Sequence, residues 1–278
     1  GLVNIIADKN DLGDKITTHK GISKISFTGS TATGSRVLAS AASTLKRVTL
    51  ELGGNDAGIV MDDVDVEAVA PQIFDGAFGN NGQICIAMKR VYAHESIYDK
   101  LVDQLAELAK EAAVGNGLEQ GTKLGPLQNK MQFDKVKGYI EEGRADGTIV
   151  AGGEVPDGKG YFIPPTIVKD IDDESRLVKE EQFGPVLPVI KYDDIDDVIE
   201  RANDTDYGLG GSVWSSDTDR AYEVAKKVDS GTIWVNKHAD VQPHIPFGGI
   251  KTSGIGAELG EEGLAEFTAR KVINVAKA

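Results

Sequence analysis

Cys85 lies in Phe78-Gly79-Asn80-Asn81-Gly82-Gln83-Ile84-Cys85-Ile86-Ala87, directly after a helix-like segment, where glycine and asparagine let the backbone turn sharply. A thiol at such a bend is placed to attack carbonyl carbon, because sulfur is polarisable and nearby backbone N–H groups lower its pKa. Such a nucleophile needs a base, and Glu51 is the candidate. It ends an apolar, strand-like run in Leu50-Glu51-Leu52-Gly53-Gly54-Asn55, 34 residues before the cysteine. Taken singly, a free cysteine reads as buried packing and a strand-end acid as a solvated surface group. The two markers at this separation change that reading.

Three further segments accompany the pair. They are Phe27-Thr28-Gly29-Ser30-Thr31-Ala32-Thr33-Gly34, Glu180-Glu181-Gln182-Phe183-Gly184-Pro185, and Pro246-Phe247-Gly248-Gly249-Ile250-Lys251-Thr252-Ser253-Gly254-Ile255-Gly256. In this order, over nearly the whole chain, the five motifs resemble the NAD(P)-dependent aldehyde dehydrogenase superfamily. The opening Gly1-Leu2-Val3-Asn4-Ile5-Ile6-Ala7-Asp8 is similar to a glycine- and asparagine-containing stretch of that family, with Asp8 where glycine is usual.

The resemblance implies roles. Cys85 would add to an aldehyde or activated ester, and Glu51 would deprotonate the thiol and later activate water. Glu181 would grip the nicotinamide ribose and Phe183 would flank the ring. Gly29 and Ser30 would meet the cofactor pyrophosphate, and Gly53 would allow close backbone approach. Gln132 and Lys135 would be weaker cofactor contacts, and Asn236 and Phe247 would line the substrate end. Without a family in view, Glu180, Glu181 and the acids Asp172 to Glu174 read as a solvated acidic stretch. By the resemblance, the family's N-terminal half is absent from this sequence. That half carries the first strands of the dinucleotide sheet, a ribose-holding lysine and an asparagine donor to the aldehyde oxygen. The sequence leaves NAD against NADP open.

Acidic residues outnumber basic ones to give a net charge of −14, which argues against a nucleic-acid or anionic-membrane partner. With a single cysteine there is no intrachain disulfide framework. No charged segment followed by an apolar run opens the sequence, and no stretch approaches the roughly 20 apolar residues of a membrane span. The expectation is a cytoplasmic protein. His19, His94, His238 and His244 are scattered without metal-ligand spacing, so no metal is expected, and His238 and His244 read as exposed loop residues. A serine-hydrolase elbow is absent as well.

The elements that would position these residues alternate between strand-length apolar runs and helical-period stretches, the pattern of an α/β fold with a mostly parallel sheet. Lys24 to Thr28 alternates as a strand, breaks at Gly29-Ser30 and leads into a small-residue helix from Thr33 to Ala42. Such a strand, turn and helix start offers N–H groups to a phosphate, or is simply a tight turn. Pro71 predicts a kink or restart in the helix from Asp65 to Phe78. Ser96 is the expected cap of a helix carrying Ile97, Leu101, Leu105, Leu108 and Ala112. Helices are predicted over Gln128 to Glu142, Asp194 to Ala202 and Asp217 to Val228. Strands are predicted at Thr148 to Val150 and Thr232 to Asn236, and the resemblance implies that Arg270 to Val275 adds a strand to another subunit's sheet.

The reading is therefore a catalytic domain of aldehyde dehydrogenase type with part of a Rossmann-like cofactor portion. Residues 1–51 form the cofactor remnant, 52–247 the thiol domain, and 248–278 the return to the cofactor side with an oligomerisation strand. Three functions follow: NAD(P)-dependent aldehyde oxidation, cofactor-independent hydrolysis of small activated esters, and assembly without catalysis. Ester hydrolysis is expected to exceed oxidation, because it needs only the thiol and the acid. A homo-oligomer acting on a small aldehyde or ester fits the first two.

Overall fold

The computed structural model describes residues 1–277, and they form two sheets. The chain opens with a short helix α1 (Gly13–Thr18), then β1 (Lys24–Thr28), α2 (Thr31–Ala42) and β2 (Arg47–Glu51). Ser30 caps α2 by accepting from the Thr33 N–H, so the glycine turn ends in a helix start as its residues predict. Next come β3 (Asp56–Val60), α3 (Val66–Phe78), β4 (Met88–His94), α4 (Glu95–Glu111), α5 (Lys130–Asp146), β5 (Thr148–Ala151) and β6 (Thr166–Lys169). The chain continues through α6 (Arg176–Lys179), β7 (Val186–Tyr192), α7 (Ile195–Asn203), β8 (Gly210–Trp214), α8 (Thr218–Ala225) and β9 (Thr232–Val235). It closes with the two-residue β10 (Gly254–Ile255) and α9 (Gly260–Ala265).

The larger sheet has seven strands in the order β5-β6-β7-β4-β3-β8-β9, all neighbours parallel except β5 against β6. Successive side chains along a strand point to opposite faces, and each face has its own core. Val60, Val91 and Val189 pack with Ile73, Phe74, Leu101 and Leu105 of α3 and α4. Their neighbours Ile59, Tyr92 and Ile190 pack on the other face with Ile140, Val198 and Ala221 of α5, α7 and α8. Helices on both faces explain why β3 and β8 are buried along their whole length.

The smaller sheet is β1-β2-β10, with β1 parallel and β10 antiparallel to β2. The last strand returns from the far end of the chain to pair Gly254 with Glu51. The chain around Glu51 thus joins the carboxyl end of β2 to the amino ends of β3, β4 and β8.

One local expectation, the cap of α4, is corrected. The helix α3 runs through Pro71 as one element, with Pro71 on its exposed side. The cap of α4 is His94, whose Nδ1 accepts from the Ser96 N–H at 3.3 Å. Arg270 to Val275 carries no strand within this chain, and Val272, Ile273 and Val275 are exposed. No helix among the described residues is long and apolar enough to cross a membrane.

Candidate active site

The bend before Cys85 is built from left-handed residues. Asn80, Asn81 and Gly82 have φ of 51°, 59° and 68°, a run that asparagine and glycine tolerate best. Gly82 also packs where a Cβ would lie 2.5 Å from the Gly184 carbonyl. The turn delivers Cys85, half-buried, into an apolar pocket with Ile84, Ile86, Leu209, Trp234 and Phe247. Burial pushes the thiol pKa up, while Lys89 and a hydrogen bond from the Ile86 N–H pull it down.

Glu51 is 4 % exposed, and both of its carboxylate oxygens lack a hydrogen-bond partner among the described residues. A surface acid at a strand end is therefore not what the structure contains. Burial, reinforced by Glu258, raises its pKa to about 8. The Gly53-Gly54 pair then links Glu51 to the cysteine loop, since a Cβ on Gly54 would lie 2.6 Å from the Cys85 carbonyl. Gly248 passes on the other side, where a Cβ would be 3.5 Å from Glu51 Oε1.

Glu181 belongs to the same constellation. Its Oε1 accepts from the Gly54 N–H at 3.1 Å and lies 3.9 Å from Lys89 Nζ, so it is not part of a solvated acidic run. A Cβ at Gly53 would come within 2.5 Å of Glu181 Oε2, which is the close approach that glycine permits there. Phe183 follows with φ of 50°. Gln132 donates to the carbonyls of Gln182 and Phe183, both at 2.8 Å, and Lys135 donates to the Glu181 carbonyl at 2.9 Å. Those two side chains thus hold the 181–183 turn. Gly29 donates its N–H to the Glu51 carbonyl at 3.0 Å, which sets Ser30 and the α2 start beside β2.

Asn236 bonds to the backbone just after β8. Its amide is spent on the backbone of Ser215, accepting from the N–H at 2.9 Å and donating to the carbonyl at 2.8 Å. Phe247 packs, as Cys85 does, against the cluster of Ile86, Leu209 and Trp234.

Several residues of the site were not anticipated. Lys89, at the start of β4, is buried and donates to the carbonyls of Ile84, Cys85 and Ala87 at 2.9, 2.8 and 3.2 Å. His238, expected on an exposed loop, has a side chain 1 % exposed. It meets the Ile86 carbonyl at 2.7 Å through Nε2 and the Ser212 hydroxyl at 3.0 Å through Nδ1. Burial lowers its pKa to about 4, so the ring is neutral near pH 7 and donates from Nε2. Asp56 is buried beside them, accepts from the Gly210 N–H at 3.1 Å, and is pushed by burial to about 7. A pair of charges, Lys89-Arg90, heading an otherwise apolar strand is the sequence signal that marks this cluster, because lysine is rarely buried without partners.

A model of the aldehyde dehydrogenase family matches residues 1–273. The chain belongs to that family. It is 44 % identical over 279 residues to the mitochondrial aldehyde dehydrogenase of Leishmania tarentolae, covering 99 % of this chain and 56 % of that protein. It is 41 % identical to the betaine aldehyde dehydrogenase of Brucella anthropi, with coverage of 99 % and 58 %. An NAD+ complex of the Bacillus cereus aldehyde dehydrogenase superposes with a TM-score of 0.90 at 42 % identity, over 92 % of this chain and 52 % of that one. Against the Staphylococcus aureus betaine aldehyde dehydrogenase with NAD+, the TM-score is 0.90 at 37 % identity, over 95 % and 53 %. The chain thus spans about half the length of the relatives it matches.

Proposed function

We propose that this chain carries the thiol chemistry of an aldehyde oxidation that yields a carboxylic acid, with Cys85 as nucleophile and Glu51 as general base. The observation that carries this reading is Glu51: a buried carboxyl with no hydrogen-bond partner and a pKa moved to about 8 is costly to keep in a fold and suited to exchanging protons near neutral pH. In the resting site both Cys85 and Glu51 hold their protons over most of the neutral range. Ionised Glu51 takes the thiol proton, Sγ bonds to the carbonyl carbon, and the Cys85 N–H faces the developing oxyanion. Once hydride has left the tetrahedral adduct and Glu51 has released its proton to solvent, Glu51 deprotonates the water that attacks the thioester, and Cys85 departs as thiolate.

NAD(P), when bound, supplies the hydride acceptor between these two stages. The residues present fit such a group. Ser30 caps a twelve-residue helix whose first-turn amides suit a pyrophosphate, and Gly53 gives Glu181 room to approach. Beside them, Thr31, Ser35, Leu38, Thr252 and Ile255 border an open slot of about 130 Å³. Glu181 and Phe183 would face the nicotinamide end, held by Gln132 and Lys135. In this reading residues 1–51 and 248–278 form the cofactor side and 52–247 the thiol domain, with 270–275 available to pair with a second subunit.

Hydrolysis of small activated esters is the second reading, favoured by the fact that acylation and deacylation use only Cys85 and Glu51. It is tested with oxidation in one paired assay: NAD(P)H formation from aldehydes and p-nitrophenyl ester cleavage, each repeated with Cys85→Ala. Oxidation that requires Cys85 supports the dehydrogenase reading, and Cys85-dependent ester cleavage alone supports the thiol hydrolase. Ester cleavage undiminished in Cys85→Ala contradicts both.

A further inference from the structure

The turn that presents Cys85 rests on a buried polar floor. Four consecutive carbonyls, of Ile84, Cys85, Ile86 and Ala87, all point inward: three accept from the Lys89 ammonium and the fourth from His238 Nε2. Both donors are fixed from behind. His238 accepts from the Ser212 hydroxyl, which in turn accepts from Trp214 Nε1 at 2.9 Å. Lys89 faces Glu181 at 3.9 Å, and the Gln182 side chain donates to the Lys89 carbonyl at 3.1 Å. A peptide whose carbonyl is held inward has its N–H directed the other way, and the Ile86 N–H is indeed the one bonded to the Cys85 sulfur.

We propose, on the reading that Cys85 is the nucleophile, that Lys89 is its positioning residue: the buried ammonium holds the 84–87 turn with its amides aimed at the thiol and supplies the positive charge that favours the thiolate. Lys89 touches neither substrate nor the reacting carbon, and it acts through the loop. The charged and titratable groups facing this cluster are Asp56, Glu181 and Lys135, with Arg90 adjoining and His238 neutral. Asp56 and Glu181 oppose thiolate formation, which leaves Lys89 as the charge working in its favour. The arrangement also ties the nucleophile to the cofactor turn, since the same ammonium that grips Cys85 faces Glu181.

The test is the pH dependence of iodoacetamide alkylation at Cys85, which as the only cysteine gives an unambiguous signal and needs no substrate or cofactor. Lys89→Arg keeps the charge, Lys89→Gln keeps donors without charge, and Lys89→Met removes both. The midpoint of alkylation is expected to rise by about one pH unit in Lys89→Gln and further in Lys89→Met, slowing alkylation roughly tenfold or more at pH 7. Lys89→Arg should stay within a few tenths of a unit of wild type. Should Lys89→Met fail to fold by circular dichroism, Lys89→Gln carries the test. Unchanged profiles in folded Lys89→Gln overturn the proposal, as does a Lys89→Arg shift equal to that of Lys89→Gln. If Cys85→Ala retained ester cleavage while the alkylation shifts appeared as expected, the nucleophile reading alone would fail.

Discussion

The two sheets are finished to different degrees. In the seven-stranded sheet, the strands that carry Asp56, Lys89 and the support for His238 are covered on both faces by helices, and their side chains fill two cores. The three-stranded sheet is thinner. Its β1 is only partly buried, and Leu38 of the neighbouring α2 is exposed. The cysteine, its polar floor and Phe247 belong to the well-covered part, whereas Gly29, Ser30 and the slot by α2 belong to the thin part. Glu51 stands where the two meet. On the proposed reading, the steps assigned to the thiol and the acid would depend on buried supports, while a dinucleotide would depend on the more open layer.

Cys85→Ala is expected to break the site most completely, lowering both aldehyde oxidation and ester cleavage by at least ~10³-fold. Glu51→Gln follows, with steady-state turnover down by about 10²–10⁴-fold because deacylation loses its base. In the wild type the base form of Glu51 grows as pH rises through about 8, so turnover should climb over that interval, and the Gln variant should lose that limb. Stability moves the other way. The folded chain holds the Glu51 proton more tightly than an unfolded chain does, so the wild type loses stability as pH rises from 4.5 to about 8. Glu51→Gln should therefore be more stable by about 1–3 kcal/mol at pH 8 and nearly equal to wild type near pH 4.5, as urea titrations at the two pH values would show.

The contrast between the sheets can be sharpened by truncating an apolar side chain in each. Leu101→Ala, in the core under α4, should cost about 2–5 kcal/mol in denaturant unfolding, whereas Leu38→Ala on the open face of α2 should stay within about 0.5 kcal/mol. Gly53→Ala separates the layers functionally. Its Cβ would displace the Glu181 carboxylate, so KM for NAD(P) should rise several-fold with ester cleavage almost unchanged. Equal losses in both activities would show that the two layers are not separable at this point.

The sequence made the elements legible where one physical signal governed them. Apolar runs of strand length and helical spacing located the main strands and helices, and Asp194 and Asp217 do cap α7 and α8. Ser96 does not make the cap because competing chemistry decides it: the ring of His94, two residues earlier, accepts the Ser96 N–H. Cys85, Glu51, Glu181 and Phe247 were found through motifs and lie around one place. Lys89 and His238 were not, since their roles come from contacts across β4, β8 and the loop after β9 that no local spacing encodes. Asn236, implied by the resemblance, has its amide bonded to the Ser215 backbone, a contact that no local spacing encodes.

The most direct measurement is intact-protein mass spectrometry of Glu51→Gln mixed with p-nitrophenyl acetate and quenched at short times. If Cys85 is the nucleophile and Glu51 the base for deacylation, one acetyl group accumulates to near stoichiometry and maps to Cys85, while the wild type shows only a trace at steady state. A Glu51→Gln chain that turns over ester at the wild-type rate, or that carries the acetyl group on another residue, would contradict the account.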